Sequence, residues 1–178
     1  MLSAFLKLLR ARDAMAAVEF AFIAPVMILM FFGSVELTMA VDCNTRVASV
    51  SSTAADLVAQ ETTVSPTDMS NVFAALNAII YPYPTNTAQI VISSIVDAGN
   101  STAKVAWSDA QNGTPRTVNS VVTVPTGLIV SGSGSSVILA EITYSYASPT
   151  TQVLAGTISM KSSFYSRPRR SLTVTHTY

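Results

Sequence analysis

Apolar residues run almost without interruption from Ala14 to Val41, broken only by Glu19 and Glu36, and the stretch from Phe20 to Val35 carries no charge. Coiled as a helix at about 1.5 Å per residue, the longer run reaches roughly 40 Å and the uncharged part roughly 24 Å, against a bilayer core of about 30 Å. The pattern predicts a membrane-spanning helix over 15–41, with the two carboxylates near the edges of the core. Helical spacing persists beyond it. Val47, Val50, Ala54, Leu57 and Val58 recur with Ser, Thr, Asp56 and Gln60 between them, which predicts an amphipathic stalk over 42–60 continuous with the span.

Thr62 to Ser65 breaks this pattern, and Ser65-Pro66-Thr67-Asp68 reads as an N-cap, a proline at the first helical position and an acidic third residue. A second helix over 66–80 follows, with Met69, Val72, Phe73, Leu76, Ile79 and Ile80 as its apolar stripe. It ends at the YPYP of Tyr81 to Pro84, because neither proline supplies a helix N–H.

From Ala88 the period shortens to that of strands. Gln89 to Val96 and Ala103 to Ser108 are β-rich runs on either side of Asp97-Ala98-Gly99-Asn100, a turn composition, and together predict a hairpin. Asp109 to Pro125 reads as a loop with at most a short strand near Val121 to Val124, and Ser131 to Ser136 as a flexible connector. The clearest strand places Ile138, Ala140, Ile142, Tyr144 and Tyr146 on one face and Glu141, Thr143 and Ser145 on the other, so it is expected to be half-buried. After a turn near Ser148-Pro149, Thr157 to Arg167 alternates again, with Ile158, Met160 and Phe164 opposite Lys161, Ser163, Tyr165 and Arg167. Pro168 ends it and leaves a short tail. The expected class is α+β: a long transmembrane helix extending into a stalk, then a small extracytoplasmic domain with a second helix packed on an antiparallel sheet of about four strands across 88–167.

Charge sets the expected orientation. Lys7, Arg10 and Arg12 precede the span, whereas Glu36, Asp42 and only then Arg46 close it, so residues 1–14 form a cytoplasmic head and residues 42–178 lie across the membrane. Charged residues are 11% of the chain and the formal net charge is zero, which leaves no basic field for nucleic acid. Neither a catalytic constellation nor a cofactor or metal site is legible. The only histidine is His176, in the tail, and the glycines Gly127, Gly132 and Gly134 lack the Lys-Ser/Thr of a phosphate loop. Acidic residues occur singly, and the glycosylation patterns at Asn100 and Asn112 fall in turns where Asn is expected anyway. The chain reads as non-enzymatic.

Cys43 is the only cysteine, so no intramolecular disulfide exists; it reads as a small residue packed on a helix face, the alternatives being an intermolecular bridge or a reactive thiol. Arg167, Arg169 and Arg170 cluster around a proline, which suits either a solvated strand end or contact with lipid headgroups or an acidic partner. Glu19 stands out more. An ionised carboxylate in lipid costs several kilocalories and persists where it reaches water or is paired. Two placements are open: at the cytoplasmic interface near Arg12, or paired in a helical bundle with a cation from a neighbouring subunit or a new N-terminus. Pro25 removes the intrahelical bond to the carbonyl of Ala21 and so permits a kink or local melting.

The segment from Arg12 through Ala14-Met15-Ala16-Ala17-Val18-Glu19-Phe20 to Pro25, followed by Gly33-Ser34-Val35-Glu36, resembles the N-terminal signature of TadE-like and TadG-like proteins, minor pseudopilins of the tight-adherence (Tad, Flp pilus) system. The resemblance covers Arg10 to Leu37. It implies handling by an inner-membrane prepilin peptidase that cuts five residues before the glutamate, here between Ala14 and Met15, so that Glu19 becomes the fifth mature residue. The family has glycine immediately before the cut, where this chain has Ala14; an uncleaved membrane anchor is the other outcome. In either form the resemblance implies a structural component of pilus assembly, with Glu19, Phe20 and Pro25 as assembly and membrane residues. Its partners would be other pilin-like subunits, the assembly platform and membrane lipid. A soluble binding protein exported with residues 1–40 as a signal peptide, cut after Thr38-Met39-Ala40, is the contrasting expectation.

Overall fold

The computed structural model describes residues 12–99, 102–129, 132, 134–148 and 156–177, with the side chains of Arg12, Asp13 and Ala14 excepted. Lys7 and Arg10 of the basic head, Asn100 of the first glycosylation pattern, Ser131 and Ser133 of the serine-glycine connector and Pro149 lie outside these residues.

The elements follow in the order α1 (Arg12–Ala59), β1 (Thr63–Val64), α2 (Pro66–Ile80), a 3-10 turn (Thr85–Thr87), β2 (Ala88–Asp97), β3 (Ala103–Gln111), β4 (Val121–Val122), β5 (Ser136–Ala147), β6 (Thr157–Ser166) and β7 (Thr175–His176). The chain divides into two units: residues 1–41 with 147–156, and residues 42–146 with 157–178. In the first, α1 runs through Pro25 without interruption, so the melting that this proline permits is not realised. Glu36, at the end of the apolar run, is fully buried and engaged by a neighbour, as a buried carboxylate must be.

The second unit is an α+β domain. Its sheet has five strands in the order β4-β3-β2-β5-β6, one more than the four expected, because the stretch at Val121 forms a two-residue strand against Ala103 and Lys104. Antiparallel β2 pairs β5 in unbroken register from Ala88 with Tyr144 to Val96 with Ser136. That register aligns Ile90 with Ile142, Ile92 with Ala140 and Ser94 with Ile138 on one face. On α1 the buried positions Cys43, Val47, Val50, Ala54 and Val58 repeat at three and four residues, a stripe of small side chains that lets a helix approach a sheet closely. Ser51 on this helix and Ser162 on β6 share a hydrogen bond of 2.7 Å. The second helix begins as its sequence requires: Ser65 accepts from the Asp68 N–H while the Asp68 carboxylate accepts from the Ser65 N–H, a complete capping box, and Met69, Leu76 and Ile80 are buried.

Three expectations are corrected. The strand at 136–147 keeps the expected alternation from Ala140 to Tyr146 but is buried on both faces at its start: Val137 and Leu139, on the face opposite Ile138, join Ile95, Ala103, Val105 and Val122 in a second apolar cluster. Val124, Ile129 and Tyr165 cover it, so the segment after β4 and strand β6 give the sheet a second packed face. On β6 only Met160 is buried, while Ile158 and Phe164 are exposed, since an edge strand has cover on one flank alone. The C-terminal segment is no free tail. Strand β7 pairs in parallel with β1, Thr63 with Thr175 and Val64 with His176.

Candidate membrane and assembly helix

Every residue singled out for processing or assembly lies on the first turns of α1. Met15 and Glu19 are four residues apart and so share one helix face. Met15 and Phe20 are each 68% exposed, and Phe22, Met27, Leu29, Met30 and Phe31 are exposed around the rest of the circumference. Glu19 is exposed among them, and Ala14 is helical in its backbone. The most apolar 18 residues have a mean hydropathy of 2.2, and none is buried within the protein. A helix that is apolar on all sides has no polar face to give to water, so lipid or other apolar helices must surround it. Among the described residues one helix, near the N-terminus, is long and apolar enough to cross a membrane, as the helix of a single-pass membrane protein is.

Just past that run lies a polar cluster that the charge pattern alone did not resolve. Asp42 and Arg46 are spaced i,i+4 on α1, and Arg46 Nε donates to Asp42 Oδ2 at 2.9 Å. The Arg46 Nη1 donates to the carbonyl oxygens of Ile79, at 3.2 Å, and Tyr81, at 2.6 Å. These carbonyls lie at the C-terminal end of α2, where a helix leaves acceptors without partners and its dipole favours a cation. Tyr83 completes the group by donating its hydroxyl to Asp42 Oδ2 at 3.0 Å. Hydrogen bonds from Arg46 and then Tyr83 hold the Asp42 carboxyl below its ordinary range. Burial, followed by the hydrogen bond to Asp42, pushes the Tyr83 phenol up to about 12. The i,i+4 spacing was the available signal; its long-range acceptors had none.

Cys43, beside this group, is buried, and burial raises its thiol to about 11, with the Asp42 charge adding to the effect. It packs as a small apolar residue. The arginine cluster is largely committed within the domain: Arg167 donates to the carbonyls of Leu128 and Gly127, and Arg169 pairs with Asp56 while its N–H bonds the Ala59 carbonyl. Arg170 remains exposed.

The acidic side chains are less isolated than the sequence suggested. Arg116 and Glu141 form a two-pronged pair at 2.6 and 2.7 Å. His176 Nε2 and Asp109 Oδ2 lie 2.8 Å apart, beside Trp107. The amide of Asn112 donates to the carbonyls of Thr85 and Ala88, so this asparagine ties the end of β3 to the 3-10 turn and the start of β2. Among the described residues no three His, Cys, Asp or Glu side chains gather as a metal set.

Residues 14–56, which take in the apolar run and most of the stalk, match the family model of TadE-like proteins, in agreement with the resemblance carried by Glu19 and Pro25. No curated protein and no solved structure matches the chain.

Proposed function

We propose, on the strength of this TadE-like segment, that the protein is a structural component of a Tad-type pilus, specifically a minor pseudopilin held in the inner membrane by one helix. On this reading residues 1–14 are cytoplasmic, residues 15–41 cross the bilayer, and residues 42–178 form a periplasmic pilin-like domain that primes, caps or anchors the filament. The observation that carries it is an unburied helix, apolar on every side, that opens on the Glu19 and Pro25 signature. Such a helix gains by packing against like helices, and a carboxylate on it favours an assembly that supplies a cation. If Ala14-Met15 is cut, the new amine at Met15 of one subunit is the cation that Glu19 of the next would meet.

A strain in which deletion of the gene abolishes surface pili and adhesion tests this directly. Complementation with the parent chain is expected to restore both, and complementation with Glu19→Ala is expected to fail although the protein reaches the membrane. Full restoration by Glu19→Ala would end the assembly role of that carboxylate. N-terminal sequencing of the mature protein accompanies it: a start at Met15 supports processing, an intact start supports the uncleaved anchor, and a start at Val41 would replace the membrane reading with a secreted protein.

A further inference from the structure

Beside the second helix lies a cleft of about 430 Å³, contained wholly within the second unit. Met69, Phe73 and Asn77, spaced at i,i+4 on α2, line one wall, and Asp109, Ala110 and Gln111 at the end of β3 line the other. Its polar atoms are of one kind. Asn77 Oδ1 and Gln111 Oε1 are shut off from solvent and accept no hydrogen bond. Asp109, the one charged residue lining the cleft, is an acceptor too and lies against His176 Nε2. A buried amide oxygen is ordinarily paired, because leaving it unpaired forfeits the bond it makes with water. Two such acceptors, one on each wall, call for donors placed between α2 and β3.

The strand wall also offers its backbone. Strand β4 pairs with β3 only at Ala103 and Lys104, and the chain meets β3 once more where Val105 bonds Ser120 and Asn119. Val105 therefore turns its N–H and carbonyl away from β2. A bulge opposite Ser94 and Ile95 adds one residue, so Trp107, Asp109 and Gln111 face β2 while Ser108 and Ala110 turn outward as Val105 does. Among the described residues no strand lies beside this part of the edge. An edge left open is a template for an added strand unless proline, clustered charge or a bulge blocks it. Past the bulge this one carries only Asp109.

We infer that the cleft binds an extended segment of another polypeptide. The main chain of that segment adds to the outer edge of β3 at Ser108 and Ala110, and its cleft-facing side chains donate to Asn77 Oδ1 and Gln111 Oε1. Edge pairing supplies affinity for any extended chain, and the lining sets which one. Hydroxyl, amide or ammonium groups suit the two amide oxygens, an aliphatic side chain suits Met69 and Phe73, and a carboxylate is repelled by Asp109. This binding requires neither Glu19 nor the span, so it goes beyond the assembly role of α1 and is tested apart from it.

The full chain in mild detergent is panned against a phage-displayed library of random linear heptapeptides, and an enriched peptide is synthesised with a fluorophore for anisotropy titration. Saturable binding by a peptide poor in Asp and Glu is expected. It should be about tenfold weaker on the double variant Asn77→Leu with Gln111→Leu, provided that its Trp107 emission matches the parent. Methylating the peptide's amide nitrogens one at a time needs no change in the protein. Binding to the parent chain should then be lost at alternate positions only, because every second N–H of an added strand faces its neighbour. Failure to enrich any peptide would overturn the inference, and so would methylation tolerated at every position. Alternate losses with undiminished binding to the double variant would place the peptide on another edge, such as β6, and overturn the site.

Discussion

Arg46 donates to the carbonyl oxygen of Tyr81 at 2.6 Å, so that a cation on the first helix closes the C-terminal end of the second, 35 residues further along the chain. The two helices of the domain are thereby held by a charged fork as well as by apolar packing. Replacing Arg46 by Ala removes the donor from two carbonyls and from Asp42, and is expected to lower the melting temperature modestly, since water still reaches this side chain. Thermal unfolding of the full chain in detergent, followed by near-ultraviolet circular dichroism, measures it; Arg46→Lys should recover only part of the loss, because an ammonium lacks the planar fork.

The same cluster makes stability depend on acid. A carboxyl held low in the folded protein, as Asp42 is by Arg46 and Tyr83, contributes stability that is complete above its unfolded value, near 3.8, and is lost as pH falls through the folded value. Asp42→Asn is therefore expected to melt below the parent at pH 6 and to converge on it as pH drops below about 4. Asp68, held low by Ser65, shifts both proteins alike and cancels from the difference. A gap that stayed constant from pH 6 to 3 would show that the carboxylate is not coupled to Arg46.

Cys43 is 1% exposed and its thiol is pushed up to about 11. At pH 8 roughly one thiol in a thousand is ionised, and little reagent reaches it. A disulfide reagent such as dithionitrobenzoate should therefore leave the folded protein unmodified for hours and titrate one thiol promptly in denaturant. Rapid modification without denaturant would reinstate Cys43 as a reactive group.

The C-terminal strand shields the only tryptophan. Trp107 is 4% exposed, donates its indole N–H to the Val174 carbonyl at 2.8 Å, and lies 5.3 Å from the His176 ring. Truncation after Arg170 removes both neighbours and is expected to red-shift the emission and raise acrylamide quenching severalfold. Asp109→Ala, which removes only the partner of His176 Nε2, should move both in the same direction by less. An unchanged spectrum after truncation would mean that β7 does not cover the indole.

Much of this architecture was legible because its causes are local. The second helix begins at Pro66 and ends at Ile80 as read, since the Ser65 and Asp68 cap acts across three residues and the prolines of YPYP act on their own backbone. The hairpin of β2 and β3 follows from alternation and the Asp97 to Gly99 turn, where Gly99 adopts a φ of 78° and its N–H bonds the Asp97 carboxylate. The family resemblance was readable for a similar reason: the signature around Glu19 and Pro25 is contiguous, and residues 14–56 match the TadE-like family model.

What the amino-acid order determined by itself was therefore the apolar run, the helix boundaries, the strand alternation and the signature, each written within a few neighbouring residues. Only the tertiary structure decided that Val137 and Leu139 face a second cluster, that His176 lies against Trp107, and that Arg46 reaches Tyr81. Those outcomes depend on which distant surfaces the folded chain brings together. Alternation tells that a strand has two faces, but the second is buried only if another segment arrives to cover it. A charge pair at i,i+4 is visible on a helix, whereas the carbonyls it also serves come within reach only once α2 has docked.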